Sequence, residues 1–179
     1  MKFRREWAMP NKNTFDIPPI TAFVRHYLSQ SKISIDPFAR NNQWATYTND
    51  LNPKTRAEWH MDVFDFLQVM KCEKRVVADL VLFDPPYSSR QVKECYEGIG
   101  RRMKQKDGQR THRWTRERDL INELTKPGAI VLSFGWDTVG MGQKRGFDIL
   151  EIMLVCHGGG HNDTICMSER KIWHQENLI

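Results

Sequence analysis

Val76-Val77-Ala78-Asp79-Leu80-Val81-Leu82-Phe83 is an almost wholly apolar run of eight residues, and Asp84-Pro85-Pro86-Tyr87 closes it. A run of that length stopped by a Pro-Pro turn reads as a strand buried on both faces, the kind that occupies the middle of a parallel sheet. Working outward, Lys32 to Asp36, Ala45 to Asn49 and Ala129 to Phe134 read as further strands. Between them Val63, Phe66, Leu67 and Met70 recur at helical spacing, as do Val92, Tyr96 and Ile99, and later Leu120, Ile121 and Leu124. A helix over 19–29 follows Pro18-Pro19, a favoured helix opening, with Ile20, Phe23, Val24, Tyr27 and Leu28 on one face. Alternation of this kind predicts an α/β fold, a mostly parallel sheet flanked by helices. Beyond residue 146, Phe147 to Val155 and Thr164 to Arg170 read as an antiparallel hairpin at the sheet edge, joined through Gly158-Gly159-Gly160.

With 179 residues, 40% of them hydrophobic, the chain is expected to form one domain over 1–179 around one sizeable core. The four cysteines, Cys72, Cys95, Cys156 and Cys166, form no CxxC pair and read as reduced thiols. Cys156, His157, His161 and Cys166 match no standard zinc spacing, so no metal is expected. No apolar leader or membrane-length apolar run is visible, which gives the expectation of a cytoplasmic, nucleoid-associated protein.

The formal charge is +5, and it is unevenly placed. Residues 90–118 hold ten Lys or Arg against four acids, a surplus of six. Residues 88–118 therefore read as a basic loop and helix insertion beside the Asp84 turn, with Arg90, Arg101, Arg102, Arg110 and Arg113 available to phosphates and Trp114 to stack or wedge against a base. A solvated helix–loop–helix face is the alternative.

Asp84 to Tyr87 sits where open α/β sheets bind ligands, at the C-terminal end of a strand. The chemistry follows from the residue types. An exocyclic amino group on a base is a poor nucleophile because its lone pair is delocalised into the ring. A carboxylate (Asp84) and a backbone carbonyl (Pro85) can each accept one of its N–H bonds and localise that lone pair. The locked φ of Pro85 and Pro86 stiffens the turn, and Tyr87 offers a face to an extruded base.

This tetrapeptide resembles the catalytic motif of the S-adenosylmethionine-dependent amino-methyltransferases of DNA. Other segments fit that family in order over roughly residues 7 to 170. Asp36-Pro37-Phe38-Ala39 resembles its cofactor loop, Thr48-Asn49-Asp50 the acidic end of its second strand, and Asp62 the residue that meets the cofactor's adenine. The segment containing Pro10, Asn11, Thr14 and Phe15 resembles the part that closes over the methionine end. Asp62 reads equally as a helix N-cap. The family's loop has glycines after Asp-Pro-Phe-Ala, whereas this chain has Arg40-Asn41-Asn42.

The resemblance implies a Rossmann-like methyltransferase domain, S-adenosylmethionine as cofactor, DNA as partner and adenine N6 as target. No separate target-recognition domain is visible, so a partner protein for specificity is one expectation. Cytosine N4 is the nearest alternative, although the cytosine enzymes more often carry Ser at the position of Asp84; RNA adenine and protein glutamine are further off, the glutamine enzymes carrying Asn there. A non-catalytic nucleic-acid-binding subunit with the same fold is the alternative from another class.

Overall fold

The computed structural model of the protein describes residues 1–101, 114–137 and 140–172. Among these, β1 (Lys2–Trp7), β2 (Ser34–Asp36), β3 (Tyr47–Thr48), β4 (Ala78–Phe83), β5 (Thr125–Gly135), β6 (Phe147–Cys156) and β7 (Thr164–Lys171) form one sheet in the order β1-β6-β7-β5-β4-β2-β3. Only β7 runs against its neighbours. The helices are α1 (Pro18–Leu28), α2 (Val63–Cys72), α3 (Ser89–Glu97) and α4 (Thr115–Leu124).

Strand β4 shows why the layers form. Successive side chains on a strand point to opposite faces. Leu80 and Leu82 pack with Ile20, Phe23 and Val24 of α1, while Val81 and Phe83 pack with Phe66, Leu67 and Met70 of α2 and Ile121 and Leu124 of α4. Both faces are dry, as the unbroken apolar run requires. The expected boundaries move by small amounts: α1 starts and ends one residue early, Val76 and Val77 lie outside β4 with Val77 55% exposed, α3 stops at Glu97 so that Ile99 falls beyond it, and β5 extends back to Thr125.

The hairpin of β6 and β7 forms as expected but does not lie at the sheet edge. Strand β1, which the sequence reading missed, pairs parallel to β6 and takes that edge. Its sequence, Lys-Phe-Arg-Arg-Glu-Trp, is too charged to read as a strand. Its stability comes from a partner about 150 residues away, including an ion pair from Arg4 Nε to Glu151 Oε1 at 2.6 Å.

Candidate functional site

Strand β2 has β3 on one side and β4 on the other, so the chain order reverses between β2 and β4. That reversal opens a crevice at the C-terminal strand ends, the usual ligand position in such sheets. Asp36 ends β2 and Asp84 follows β4, which brings two of the expected site residues to the two lips of this crevice.

Asp36 is buried; its Oδ1 accepts from Phe38 N at 3.1 Å, while Oδ2 is buried with no hydrogen-bond partner among the described residues. Burial holds its carboxyl well above the usual range, and the charges of Asp84 and Asp50 push the same way. Pro37, Phe38 and Ala39 continue as the loop beneath the crevice. Phe38 is edge-on to Phe83 and to Trp114, with ring centroids 5.7 and 5.4 Å away.

Two cavities meet at Phe38. One is narrow and mainly apolar, walled by Pro37, Leu51, Val63, Pro86, Val92 and Trp114, with Asp62 and Tyr96 at its polar end. The other, of about 340 Å³, lies between residues 13–16 and 38–44, with Asp84 in its wall. Asp62 is the N-cap of α2, its Oδ1 accepting from Phe64 N, while its Oδ2 accepts from the Tyr96 hydroxyl at the cavity.

Asp50 lies next to the first cavity rather than in its wall, which Asn49 and Leu51 supply. Its oxygens accept from Arg40 N at 3.1 Å and Asn52 N at 2.8 Å. Asn49, which carried no expected role, is the joint of the crevice: its amide donates to Pro37 O and Met61 O and accepts from Met61 N, tying three loops together. A buried side-chain amide satisfied on all sides fixes those loops in one arrangement. Sequence reading could not see this because it depends on three loops meeting.

Around the catalytic candidate, Pro85 is buried and Tyr87 N donates to Gln91 Oε1 in the first turn of α3, whose N-cap is Ser88. The Tyr87 hydroxyl donates to Asp84 Oδ1 at 2.5 Å and lies 3.4 Å from Thr14 Oγ1. Burial raises the Asp84 carboxyl above the usual range; the Tyr87 and Thr14 hydroxyls and the charge of Arg40 oppose that rise. Phe15 anchors the N-terminal segment, buried against Phe134 and stacked near Trp44. Thr14 and Phe15 therefore join the site. Pro10 and Asn11 line neither cavity.

A third cavity adjoins the same turn, lined by Pro85, Pro86, Tyr87, Arg118, Ser133 and Trp136 among others. Trp136 is 44% exposed and edge-on to Tyr87 at 5.5 Å. Ser133 is buried, and its Oγ has no hydrogen-bond partner among the described residues. Trp114 is half-buried with a left-handed backbone and walls both the first and the third cavity.

The basic segment proves less uniform than its composition. Arg90 pairs with Glu94 and Lys93 with Glu97 along α3. Arg116 lies over the Phe64 ring, and Arg118 is buried over Phe83. Arg101 is exposed, whereas Arg102, Arg110 and Arg113 lie outside the described residues. The buried His157 ring bonds Ala8 O and Thr164 Oγ1, which pins the start of the N-terminal segment to the hairpin. No helix among the described residues is long and apolar enough to cross a membrane.

No protein-family model matches the chain, and no curated protein matches it. Solved structures share its fold. TrmN from Thermus thermophilus aligns with a TM-score of 0.57 at 13% identity, over 90% of this chain and 50% of that one. NSun6 from Pyrococcus horikoshii, solved with SFG, gives 0.55 at 12% identity, over 83% and 50%. The N-methyltransferase NodS from Bradyrhizobium japonicum WM9, in complex with S-adenosyl-L-homocysteine, gives 0.53 at 9% identity, over 90% and 89%. The chain spans about half the length of TrmN and NSun6. It has the Rossmann-like α/β fold of these proteins, as the strand pattern predicts.

Proposed function

We propose that the chain transfers a methyl group from S-adenosylmethionine to an exocyclic amino nitrogen of a nucleic-acid base, with adenine N6 in DNA the favoured target. The observation that carries this reading is the placement of Asp84 to Tyr87 at the crevice where the strand order reverses, beside a cavity of about 340 Å³. The two joined cavities suit the cofactor's two ends. An adenine ring needs a flat apolar slot, which Pro37, Phe38, Leu51 and Val92 provide, and the zwitterionic amino-acid end needs the polar walls around Asn13, Thr14 and Arg40. The bound cofactor supplies an electrophilic methyl group on a sulfonium.

Asp84 and the Pro85 carbonyl accept the two N–H bonds of the target amino group. A carboxylate can accept at about four lone-pair positions, so the bond from Tyr87 leaves capacity for the incoming N–H. Methyl transfer from a bound sulfonium, with the thioether as leaving group, would leave the target nitrogen with a surplus proton. Asp84, whose affinity for a proton burial has raised, is placed to take it. The third cavity is the place for the base itself, with Tyr87 and Trp136 at its wall and the Ser133 hydroxyl ready to meet a ring nitrogen. The basic residues Arg101 to Arg113 hold the flanking phosphates, and sequence specificity is either slight or supplied by a partner protein.

Nucleoside mass spectrometry of DNA and RNA from cells expressing the chain tests the target. N6-methyladenine in DNA is expected; N4-methylcytosine, or methylated adenine in RNA alone, overturns the target assignment. A separate expectation concerns Asp50 as the acceptor for the cofactor ribose. Asp50→Ala should weaken S-adenosylmethionine binding by about 1.5–3 kcal/mol, the usual cost of a lost charge-assisted hydrogen bond. Calorimetry showing an unchanged dissociation constant would remove Asp50 from the site.

A further inference from the structure

We infer that Arg40 is the residue that anchors the carboxylate of the cofactor's amino-acid end, replacing with one side chain what a glycine-rich loop does with exposed backbone. The inference rests on the cofactor reading above. Three observations carry it.

First, Arg40 has a backbone φ of +53°, a conformation that costs a side-chain-bearing residue about 1 kcal/mol or more and that glycine adopts freely. A non-glycine residue held there requires compensation. The backbone supplies part of it, since Arg40 N donates to Asp50 Oδ2 at 3.1 Å. Secondly, Arg40 Nη1 donates to Lys12 O at 2.6 Å, which joins the loop after β2 to the segment before α1. Thirdly, Arg40 lines the larger cavity together with Asn13, Thr14 and Asp84, and its charge is felt at the Asp84 carboxyl.

A guanidinium has five N–H donors in a fixed fork, and the bond to Lys12 uses one. The remaining donors suit a planar carboxylate, which they can bind in a bidentate manner. Two carboxylates, Asp16 and Asp84, line the same cavity. Asp84 lies toward the reacting end and Asp16 toward the N-terminal segment, where its Oδ2 is held by Asn13 Nδ2 at 2.7 Å. Arg40 is therefore the cationic member of a wall whose named charges are otherwise negative, and an anionic ligand group has one place to go. The same side chain makes ligand binding and the position of residues 12–16 one event, because it holds the Lys12 carbonyl.

The test compares two ligands by calorimetry on the full chain: S-adenosylhomocysteine, which has the amino-acid end, and 5′-methylthioadenosine, which lacks it. Arg40→Gly is the variant of choice, since glycine relieves the backbone strain and leaves folding unharmed. Arg40→Gly should weaken S-adenosylhomocysteine roughly 10- to 100-fold, the range for a lost charge-assisted hydrogen bond, and leave methylthioadenosine unchanged. Arg40→Lys, which keeps the charge without the fork, should fall between. Equal losses for both ligands would make Arg40 a loop brace only, and an unchanged affinity for S-adenosylhomocysteine would remove it from the site; either result overturns the inference and leaves the cofactor reading standing. A parent protein that binds neither ligand overturns both.

Discussion

Asp84→Ala is expected to lower the rate of methyl transfer by about 10²–10³-fold while cofactor binding stays close to that of the parent, because the substitution removes one preorganised acceptor and leaves both cavities intact. Near-parental turnover would exclude Asp84 from the chemistry. The protonation state gives an independent handle. Accepting an N–H requires the carboxylate, and burial raises the pKa of Asp84 above the ordinary carboxylate range. Activity is therefore present above that raised pKa and lost as pH falls through it, so the acid limb of the rate profile should lie at higher pH than that of an unperturbed aspartate. The Tyr87 hydroxyl stabilises the charged form through its 2.5 Å bond. Tyr87→Phe should move the acid limb still higher, and a shift in the opposite direction would show that the bond serves the neutral acid.

Replacement of Arg101, Arg102, Arg110 and Arg113 by Ala should weaken binding to unrelated DNA duplexes alike. It should also reduce the slope of log affinity against log salt by about 0.9 for each phosphate contact removed. Arg90, Lys93, Arg116 and Arg118 of the same stretch are left out because they are engaged by glutamates or lie over aromatic rings. Titration of the fourfold variant at several salt concentrations decides the matter. A slope equal to that of the parent would make this stretch a solvated surface. S-adenosylmethionine affinity, measured alongside, should not change.

The parts of the fold that could be read in advance are those whose information is local. The apolar run ending in Phe83 declares a central strand because no other element tolerates it, and Pro18-Pro19 places the start of α1 within one residue. Asp84 to Tyr87 could be named because they close an apolar strand, whereas Asp36 to Phe38 and Thr14 with Phe15 could be named only through the resemblance to the amino-methyltransferases. The part that Asn49 plays could not, because it arises from hydrogen bonds between loops 12 residues apart, and nothing in its own neighbourhood marks it. The same applies in reverse to the basic stretch, where counting charges overlooked how many of them fold back on the protein. Strand β1 is the extreme case, polar in sequence and made a strand by a partner at the far end of the chain.

That partnership also sets an order of events. Residues 2–7 leave the ribosome before residues 151–156, and they have no strand to pair with until those have been made. Contacts of such sequence separation form late, after the entropy of closing the intervening chain has been met. The segment from Ala8 to Asp16 is fastened at one end by β1 and His157 and at the other by Phe15 under α1, so the wall that it gives to the larger cavity is completed only when both fastenings exist. A chain shortened before β6 thus lacks the fastening that β6 and His157 give to residues 8–16, and with it one hold on the wall of the larger cavity.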